Sequence, residues 1–415
     1  MERIKGLFEF RALHTTLCIL FALVIVPSNL KAVVIFLSAL TILVVKIKNG
    51  FSIRKSFLLL NSSVYLLIVI TLFYTTNFDY GIKKLSTMLS LGVFPILFSL
   101  FQKEEIIQVR KKYKYYLWIY IITVLLFNCI SFLWFYFSNP NYDFPGIIEH
   151  FETIVRVDMG KFNIHPIYLS MHCAIAILFS FKILSTLVSK KAILLLLSID
   201  IVLLSFILLY AKKGPIIALL LVFSLFLMFQ RNKKHTKTHI IVVLCLVGVT
   251  VAIPKTRERF VELLKIENIQ TGPITSTNIR YTIYDIAQDL IKKSPVIGYG
   301  IGDYNDTLIK QYKSDGEAIL AIRKYNSHNQ FFSLLLIGGI PLLIVFLLMI
   351  GVNLIYAIRY DNQLLILLLI FYCIVMFTEN ILERESGVIF FSFFINFFAL
   401  FNNGLLENEN SPNTQ

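Results

Sequence analysis

The sequence predicts an all-α membrane protein with about twelve transmembrane helices. Hydrophobic residues make up 57% of the chain and charged residues only 15%, whereas soluble domains carry about 25% charged residues. Runs such as 116–138 and 192–210 are apolar on every face, which is typical of helices in lipid and not of the alternating strands of a barrel. We therefore expect most of the chain to be solvated by a membrane.

Each span needs roughly 20 apolar residues, or fewer where neighbouring helices assist. The predicted spans are residues 13–27, 29–45, 56–76, 85–101, 116–138, 165–188, 192–210, 214–230, 240–254, 329–358, 363–378 and 388–402. The first run leads straight into the second without a clear small-residue cleavage site, so we interpret it as a retained helix. Residues 1–254 would then hold transmembrane helices 1 to 9, and residues 328–402 would hold helices 10 to 12.

The basic residues predict the orientation. With a cytoplasmic N-terminus, the short inside loops carry about 20 Lys and Arg residues and the short outside loops about 8. We therefore expect both termini to be cytoplasmic, including the polar tail at 403–415. The net charge of +14 is spread over clusters between apolar runs, so it predicts contact with membrane lipid and no nucleic-acid partner.

Residues 255–327 form one large loop of mixed polarity, which this orientation places outside the cytoplasm. Apolar residues recur there at helical spacing, at Ile279, Ile283, Ile286 and Leu290. This spacing predicts an amphipathic helix with Ser276 or Thr277 as N-cap and Pro295 beyond its end. A second short helix is predicted at 304–313.

Three glycines, Gly298, Gly300 and Gly302, follow the amphipathic helix in the turn-rich stretch 294–302. A dinucleotide-binding interpretation fails because no strand-turn-helix unit surrounds them. The glycines predict a tight loop against the membrane.

An Arg-bearing helix, a Pro-x-x-Gly-x-Gly turn, a His at the mouth of a helix and a Gly pair follow one another along the chain. They are Arg280, Pro295 with Gly298 and Gly300, His328, and Gly338 with Gly339. This order resembles the diagnostic segment of the O-antigen ligase and polymerase family of lipid-linked glycan transferases. Residues 165–168 and 378–387 are similar to a subgroup of the same family.

The resemblance implies a GT-C-like fold in the bacterial inner membrane and metal-independent, inverting glycosyl transfer without a cofactor at its outer face. The donor would be a glycan on undecaprenyl diphosphate, and the acceptor lipid A core or another glycan. In this scheme His328 assists the attacking hydroxyl and Arg280 holds the diphosphate. The alternatives are an interfacial histidine at a helix start and an arginine on a solvated helix face.

Lys212 and Lys213 form an outer turn against the positive-inside tendency, so they either contact lipid headgroups or bind the carrier diphosphate. His165 and Tyr168 open the sixth span, where they line the cavity or form an interfacial belt. Glu379, Glu383 and Glu385 return at the outer side before the last span, and one of them would pair with Arg280 or orient His328, unless their loop is solvated.

Asp200 lies within the seventh span, where a lone acid suggests a proton-coupled transporter or, more often, a structural hydrogen bond. The five cysteines fall inside apolar runs without metal-ligand spacing. Three functional alternatives to a ligase stay open, namely a polymerase of the same family, a protein O-oligosaccharyltransferase and a lipid-linked oligosaccharide transporter. A transporter predicts internal repeats and broken helices, which the sequence does not clearly show.

Overall fold

The computed structural model describes residues 2–157, 159–229, 240, 248, 254–270 and 272–402. Regular structure within these residues is entirely helical, so the predicted all-α class is confirmed for them. The α-helices are, in chain order, α1 Glu2–Phe21, α2 Ser28–Asn49, α3 Lys55–Ile70, α4 Phe78–Met88, α5 Ser90–Ser99, α6 Lys103–Ser138, α7 Phe144–Val157, α8 Pro166–Leu184, α9 Lys190–Tyr210, α10 Lys213–Phe229, α11 Pro254–Val261, α12 Ser276–Lys293, α13 Tyr304–Ser314, α14 Ala318–Ile322, α15 Gln330–Arg359, α16 Gln363–Met376 and α17 Glu385–Ala399.

Six of the described helices are long and apolar enough to cross a membrane, which supports a multi-pass membrane protein. They are Ser28–Ile47, Lys55–Tyr74, Lys103–Ser138, Pro166–Leu184, Lys190–Tyr210 and Gln330–Arg359. Helices α4 and α5, bent by 41°, would form a seventh span as a pair. Shorter apolar helices coincide with four other predicted spans, at Phe10–Phe21, Lys213–Leu227, Gln363–Met376 and Glu385–Ala399. The predicted span 240–254 lies almost wholly outside the described residues, and the number of twelve stays a prediction.

The chain divides into two compact units. The first unit comprises Met1–Ser52 and Leu100–Arg257, and the second comprises Ile53–Ser99 and Glu258–Gln415. Helix α8 forms the centre of the first unit, because it packs against α6, α9 and α10 and nearly all of its side chains are buried. Its sequence is apolar around the whole circumference, as expected for a helix surrounded by other helices.

Polar side chains join neighbouring helices inside the first unit. The hydroxyl oxygen of Tyr120 in α6 lies 2.7 Å from Nδ1 of His172 in α8, within hydrogen-bond distance. The Ser180 hydroxyl of α8 donates to the Asp200 carboxylate of α9 at 2.5 Å. Asp200 therefore makes the structural hydrogen bond that the sequence favoured over a transport role.

Helix α15 is broken within the second unit, where it packs against α3 and α16, although the sequence did not clearly show a broken helix. Gly338 (φ −136°, ψ 17°) and Gly339 (φ 65°, ψ −161°) leave the helical conformation, and Pro341 follows them. A proline has no N–H to donate to the carbonyl four residues earlier, and its ring clashes with that carbonyl. The break therefore turns backbone groups of α15 towards other parts of the chain.

Candidate functional site

Helix α12 carries the predicted Arg280. Its N-cap is Thr275, whose hydroxyl accepts a hydrogen bond from the Asn278 amide at 3.1 Å, so the predicted caps Ser276 and Thr277 were one and two residues late. The helix buries Ile283, Ile286 and Leu290, as their spacing predicted, whereas the fourth residue of the predicted face, Ile279, is only half-buried. It packs on α15 through this region.

The glycine loop, residues 294–302, docks on the broken part of α15. The Tyr299 amide donates to the Leu336 carbonyl at 2.7 Å, and the Gly300 amide donates to the Ile337 carbonyl at 2.9 Å. In return the Ile340 amide donates to the Pro295 carbonyl at 2.8 Å. The loop thus satisfies the backbone groups that the break exposes, which buried backbone requires.

The other side of the glycine loop is held by the segment between α3 and α4. The Tyr74 hydroxyl donates to the Ile297 carbonyl at 2.6 Å. The Asp303 carboxylate accepts from the Thr76 amide at 2.6 Å, the Thr76 hydroxyl at 2.9 Å and the Asn77 amide at 2.8 Å. Burial alone would raise the pKa of Asp303, but these three donors together hold it below its ordinary value.

His328 sits in a strained turn immediately before α15. Its φ is +46°, a left-handed conformation that costs a residue other than glycine about 1–2 kcal/mol. Side chains hold the turn, because the His328 amide donates to Oδ1 of Asn326 at 3.2 Å and the His328 carbonyl accepts from the Tyr284 hydroxyl at 3.0 Å. Asn329 then caps α15 by accepting from the Phe331 amide at 2.9 Å.

Glu379 lies beside the imidazole of His328. Its Oε2 is 3.6 Å from Nδ1 of His328, and the two side chains are 9% and 20% exposed. Of the three glutamates considered for orienting His328, the structure brings this one to it.

Arg280 and Tyr284 lie one helical turn apart on α12. Burial raises the pKa of the Tyr284 phenol to about 12, while the Arg280 charge opposes that increase and the Glu379 charge adds to it. Both charged groups therefore act on the same phenol. Sequence reasoning missed Tyr284, although its position four residues after Arg280 was a usable signal.

The guanidinium of Arg280 is half-buried with spare donors. Within the described part of the chain, its Nη1 makes one long contact, to the Ser276 carbonyl at 3.5 Å. Its Nε is buried and lacks a hydrogen-bond partner among the described residues. A buried donor left without a partner costs about 1–3 kcal/mol, which is a reason to expect a ligand there.

Glu383 is a buried carboxylate with a different set of partners. One of its oxygens accepts a hydrogen bond from the Ser333 hydroxyl. The same oxygen accepts a second one from Nδ2 of Asn380, at 2.7 Å. The other accepts from the Tyr304 hydroxyl and lies 3.5 Å from Nζ of Lys84. Glu383 therefore joins α4, α13, α15 and its own turn, and its hydrogen bonds do not go to Arg280 or His328.

A family model described as O-antigen ligase matches residues 195–347. These residues form an O-antigen ligase family domain. The family resemblance drawn from the sequence is thereby confirmed for this segment, and the matched family is a class of glycosyltransferase-like enzymes. A comparison with curated proteins found no match.

The O-antigen ligase domain includes Arg280, the glycine loop and His328 but ends before Glu379 and Glu383. It also includes Lys212 and Lys213, which belong to the first unit. Ala211 ends α9 in a left-handed conformation (φ 48°), and α10 begins at Lys213, so the lysines occupy a tight turn as predicted. Nζ of Lys212 forms an ion pair with Glu152 of α7.

His165 and Tyr168 precede the O-antigen ligase domain and also belong to the first unit. His165 is exposed and caps α8, because its Nδ1 accepts from the Ile167 amide at 3.4 Å. Tyr168 is buried, and its ring meets the His165 ring edge-on at 6.4 Å between centroids. The pair thus has a local structural role, and its predicted part in a cavity stays a prediction.

Among the described residues, no group of three or more His, Cys, Asp or Glu side chains is placed to hold a metal ion. Arg280, Tyr284, His328 and Glu379 form one set of neighbouring residues in the second unit, because the Tyr284 hydroxyl contacts the His328 carbonyl and the Arg280 and Glu379 charges both act on the Tyr284 phenol. This set, which we call the outer cluster after the orientation predicted from the sequence, offers a fork of cationic donors and an imidazole backed by a carboxylate.

Proposed function

We propose that the protein is an O-antigen ligase-like glycosyltransferase, which moves glycan from undecaprenyl diphosphate to a hydroxyl of lipid A core at the outer face of the inner membrane. The outer cluster is the observation that carries this proposal. The family match to residues 195–347 supports it, since Arg280 and His328 fall within that domain. The glycan and the acceptor follow the family and are part of the proposal.

Arg280 would hold the carrier diphosphate. A guanidinium presents planar paired donors that match phosphate oxygens, and Nε of Arg280 is a buried donor with no partner among the described residues. The diphosphate gains negative charge as its bond to the sugar breaks. A cationic group already in place lowers the barrier, because it stabilises this charge better in the transition state than in the ground state.

His328 would take the proton of the attacking hydroxyl. Glu379 faces Nδ1 at 3.6 Å, which favours Nε2 as the proton acceptor and stabilises the imidazolium that forms. Catalytic hydrogen bonds are often long before substrate binds, so this separation is compatible with a tighter contact in the complex.

The reaction would be a single displacement. The acceptor oxygen forms a bond to the anomeric carbon, the bond from that carbon to the diphosphate oxygen breaks, and the hydroxyl proton passes to His328. Undecaprenyl diphosphate leaves with the bonding electron pair, and the anomeric configuration inverts. The scheme requires no metal ion or cofactor.

Lys212 and Lys213 are proposed to contribute separately to diphosphate binding. Lys212 already pairs with Glu152, so a diphosphate would have to compete with that carboxylate. Lys212→Ala and Lys213→Ala, each compared with wild type for the donor KM, test the two lysines individually. An unchanged KM in both variants would remove them from the proposal.

Purified protein in detergent should release undecaprenyl diphosphate when given donor and acceptor. His328→Ala and Arg280→Ala should each lower the rate by about 10²- to 10⁴-fold, because each removes one contribution to the transition state. Arg280→Lys should restore only part of the rate, since an ammonium does not reproduce the paired fork. His150→Ala and the exposed Arg257→Ala are the matched controls. Near-normal rates in both outer-cluster alanine variants would overturn the proposal.

Analysis of the surface glycan in a deletion strain would identify the acceptor. Unattached full-length chains would indicate a ligase, whereas a single capped repeat would indicate a polymerase. Loss of glycan from proteins would indicate a protein O-oligosaccharyltransferase. A transporter would move the lipid-linked glycan unchanged and release no undecaprenyl diphosphate.

A further inference from the structure

Tyr284 occupies a central position in the outer cluster. Its hydroxyl shares its single proton between two main-chain carbonyls, that of Phe377 at 2.7 Å and that of His328 at 3.0 Å. Its ring meets the ring of Phe332 in the first turn of α15, with 5.4 Å between centroids. One side chain therefore connects α12, the His328 turn and the end of α16.

The two carbonyls belong to the segments that carry the imidazole and its carboxylate. Phe377 follows α16, and Glu379 comes two residues later. The His328 turn is left-handed at φ +46°, and a strained conformation persists only where its surroundings enforce it. The Tyr284 hydroxyl is one of the groups that enforce it, since it holds the carbonyl of His328 itself.

We propose that Tyr284 is a positioning residue, whose hydroxyl fixes the His328 turn against the Glu379 turn and so aims the imidazole at the attacking hydroxyl. The inference rests on the proposed function, in which His328 accepts the proton. A phenol is protonated at neutral pH, and burial raises the pKa of Tyr284 further, to about 12, so its hydroxyl remains a donor throughout the physiological range.

Tyr284→Phe removes the hydroxyl and keeps the ring that packs on Phe332. We expect kcat for glycan transfer to fall roughly 10- to 100-fold, the effect of a small misplacement of a catalytic group. The donor KM should stay near the wild-type value, because Arg280 is held by its own helix. The control is Tyr281→Phe, which removes a hydroxyl from an exposed tyrosine of the same helix and should leave kcat unchanged.

A double-mutant cycle tests whether Tyr284 acts through His328. Adding Tyr284→Phe to His328→Ala should cause little further loss, because the group that Tyr284 positions is already gone. An equal loss in both backgrounds would overturn the inference. A wild-type kcat in Tyr284→Phe, or a raised donor KM with kcat unchanged, would also overturn it.

A labelling experiment separates this inference from the proposed function. Diethyl pyrocarbonate modifies accessible neutral imidazoles, and mass spectrometry of the peptide that contains His328 gives its rate without any activity measurement. Loosening of the turn in Tyr284→Phe should change this rate roughly 2- to 10-fold, the factor that one neutral hydrogen bond is worth. Tyr281→Phe should match wild type.

The labelling assay and the transfer assay can contradict different parts of the reasoning. A labelling rate in Tyr284→Phe equal to that of wild type would refute positioning, whatever the transfer assay gives. Normal transfer in His328→Ala together with altered labelling in Tyr284→Phe would refute the role of His328 in the reaction and leave the structural tie intact. If His328→Ala has no measurable residual rate, the labelling result decides the inference.

Discussion

Replacement of Glu383 by alanine should destabilise the second unit more than the replacement of any single exposed residue. The carboxylate is fully buried and accepts from side chains of three other helices, those of Tyr304, Ser333 and Lys84, and from Asn380 of its own turn. Tyr304, Ser333 and Asn380 are also buried. Water therefore does not replace the lost partner at these groups without entering the packed interior.

The expected cost follows from what each substitution leaves unpaired. Glu383→Ala leaves the buried donors of Tyr304, Ser333 and Asn380 without this acceptor, at about 1–3 kcal/mol each, so its cost should be the largest. Glu383→Gln keeps the shape and one oxygen but turns an amide N–H₂ towards existing donors, at about 1–3 kcal/mol. Lys84→Ala should cost least, because Lys84 is 20% exposed and the carboxylate keeps its other three donors.

Thermal inactivation of purified protein in one detergent at one heating rate measures this order, since unfolding of membrane proteins is commonly irreversible. Glu258→Ala, at an exposed position of α11, is the control and should behave as wild type. Equal stability of Glu383→Ala and Glu258→Ala would refute the reasoning. A larger loss of thermal stability from Lys84→Ala than from Glu383→Ala would also refute the reasoning. It would mean that the ion pair, and not the hydrogen bonds to the carboxylate, dominates.

Three further predictions concern topology, metal ions and pH. A cysteine at Ser314, in a variant without the five native cysteines, should react with an impermeant reagent in intact spheroplasts, and labelling only after permeabilisation would contradict the orientation. Transfer should continue in excess EDTA, whereas activity lost with the chelator and regained with a divalent ion would contradict the metal-free scheme. Because the pKa of Asp303 is lowered in the folded protein, its stabilisation is present above the ordinary value of 3.8 and is lost as the pH falls below it. Wild type should therefore lose more thermal stability than Asp303→Asn between pH 5 and pH 3, and parallel losses would show that Asp303 contributes nothing.

Local features of the second unit could be predicted from the sequence. The spacing of Ile283, Ile286 and Leu290 predicted both the existence of α12 and its buried face, because a helix repeats every 3.6 residues. The second loop helix was predicted at 304–313 and runs over Tyr304–Ser314. The N-cap was less accurate, since three consecutive hydroxyl residues at 275–277 are all suitable caps and only the backbone conformation at Thr275 decides between them.

Contacts between distant parts of the chain could not be predicted from the sequence. Glu379 and Glu383 lie four residues apart in one predicted outer turn, and nothing in their spacing separates them. The structure separates them because the chain bends through a 3-10 turn at Ile381–Glu383, with Glu379 beside His328 and Glu383 among buried donors. Such an assignment depends on which partners other helices bring, and a single sequence does not carry that information.

In the segment from Arg280 to Gly339, which carries the family resemblance, the glycines and the charged residues have different roles. At Gly298 (φ +64°) a Cβ would lie 2.6 Å from the Leu336 carbonyl oxygen, and Gly339 (φ +65°) supplies the matching break in α15. These glycines allow two backbones to pair closely enough for the amides of the loop to meet the carbonyls of the broken helix. His328 stands before the start of the same helix, and Arg280 lies on the helix that leads into the loop. The paired backbones therefore fix the helix that carries Arg280 against the helix that His328 precedes, and this is how the glycine loop between Arg280 and His328 along the chain contributes to their placement.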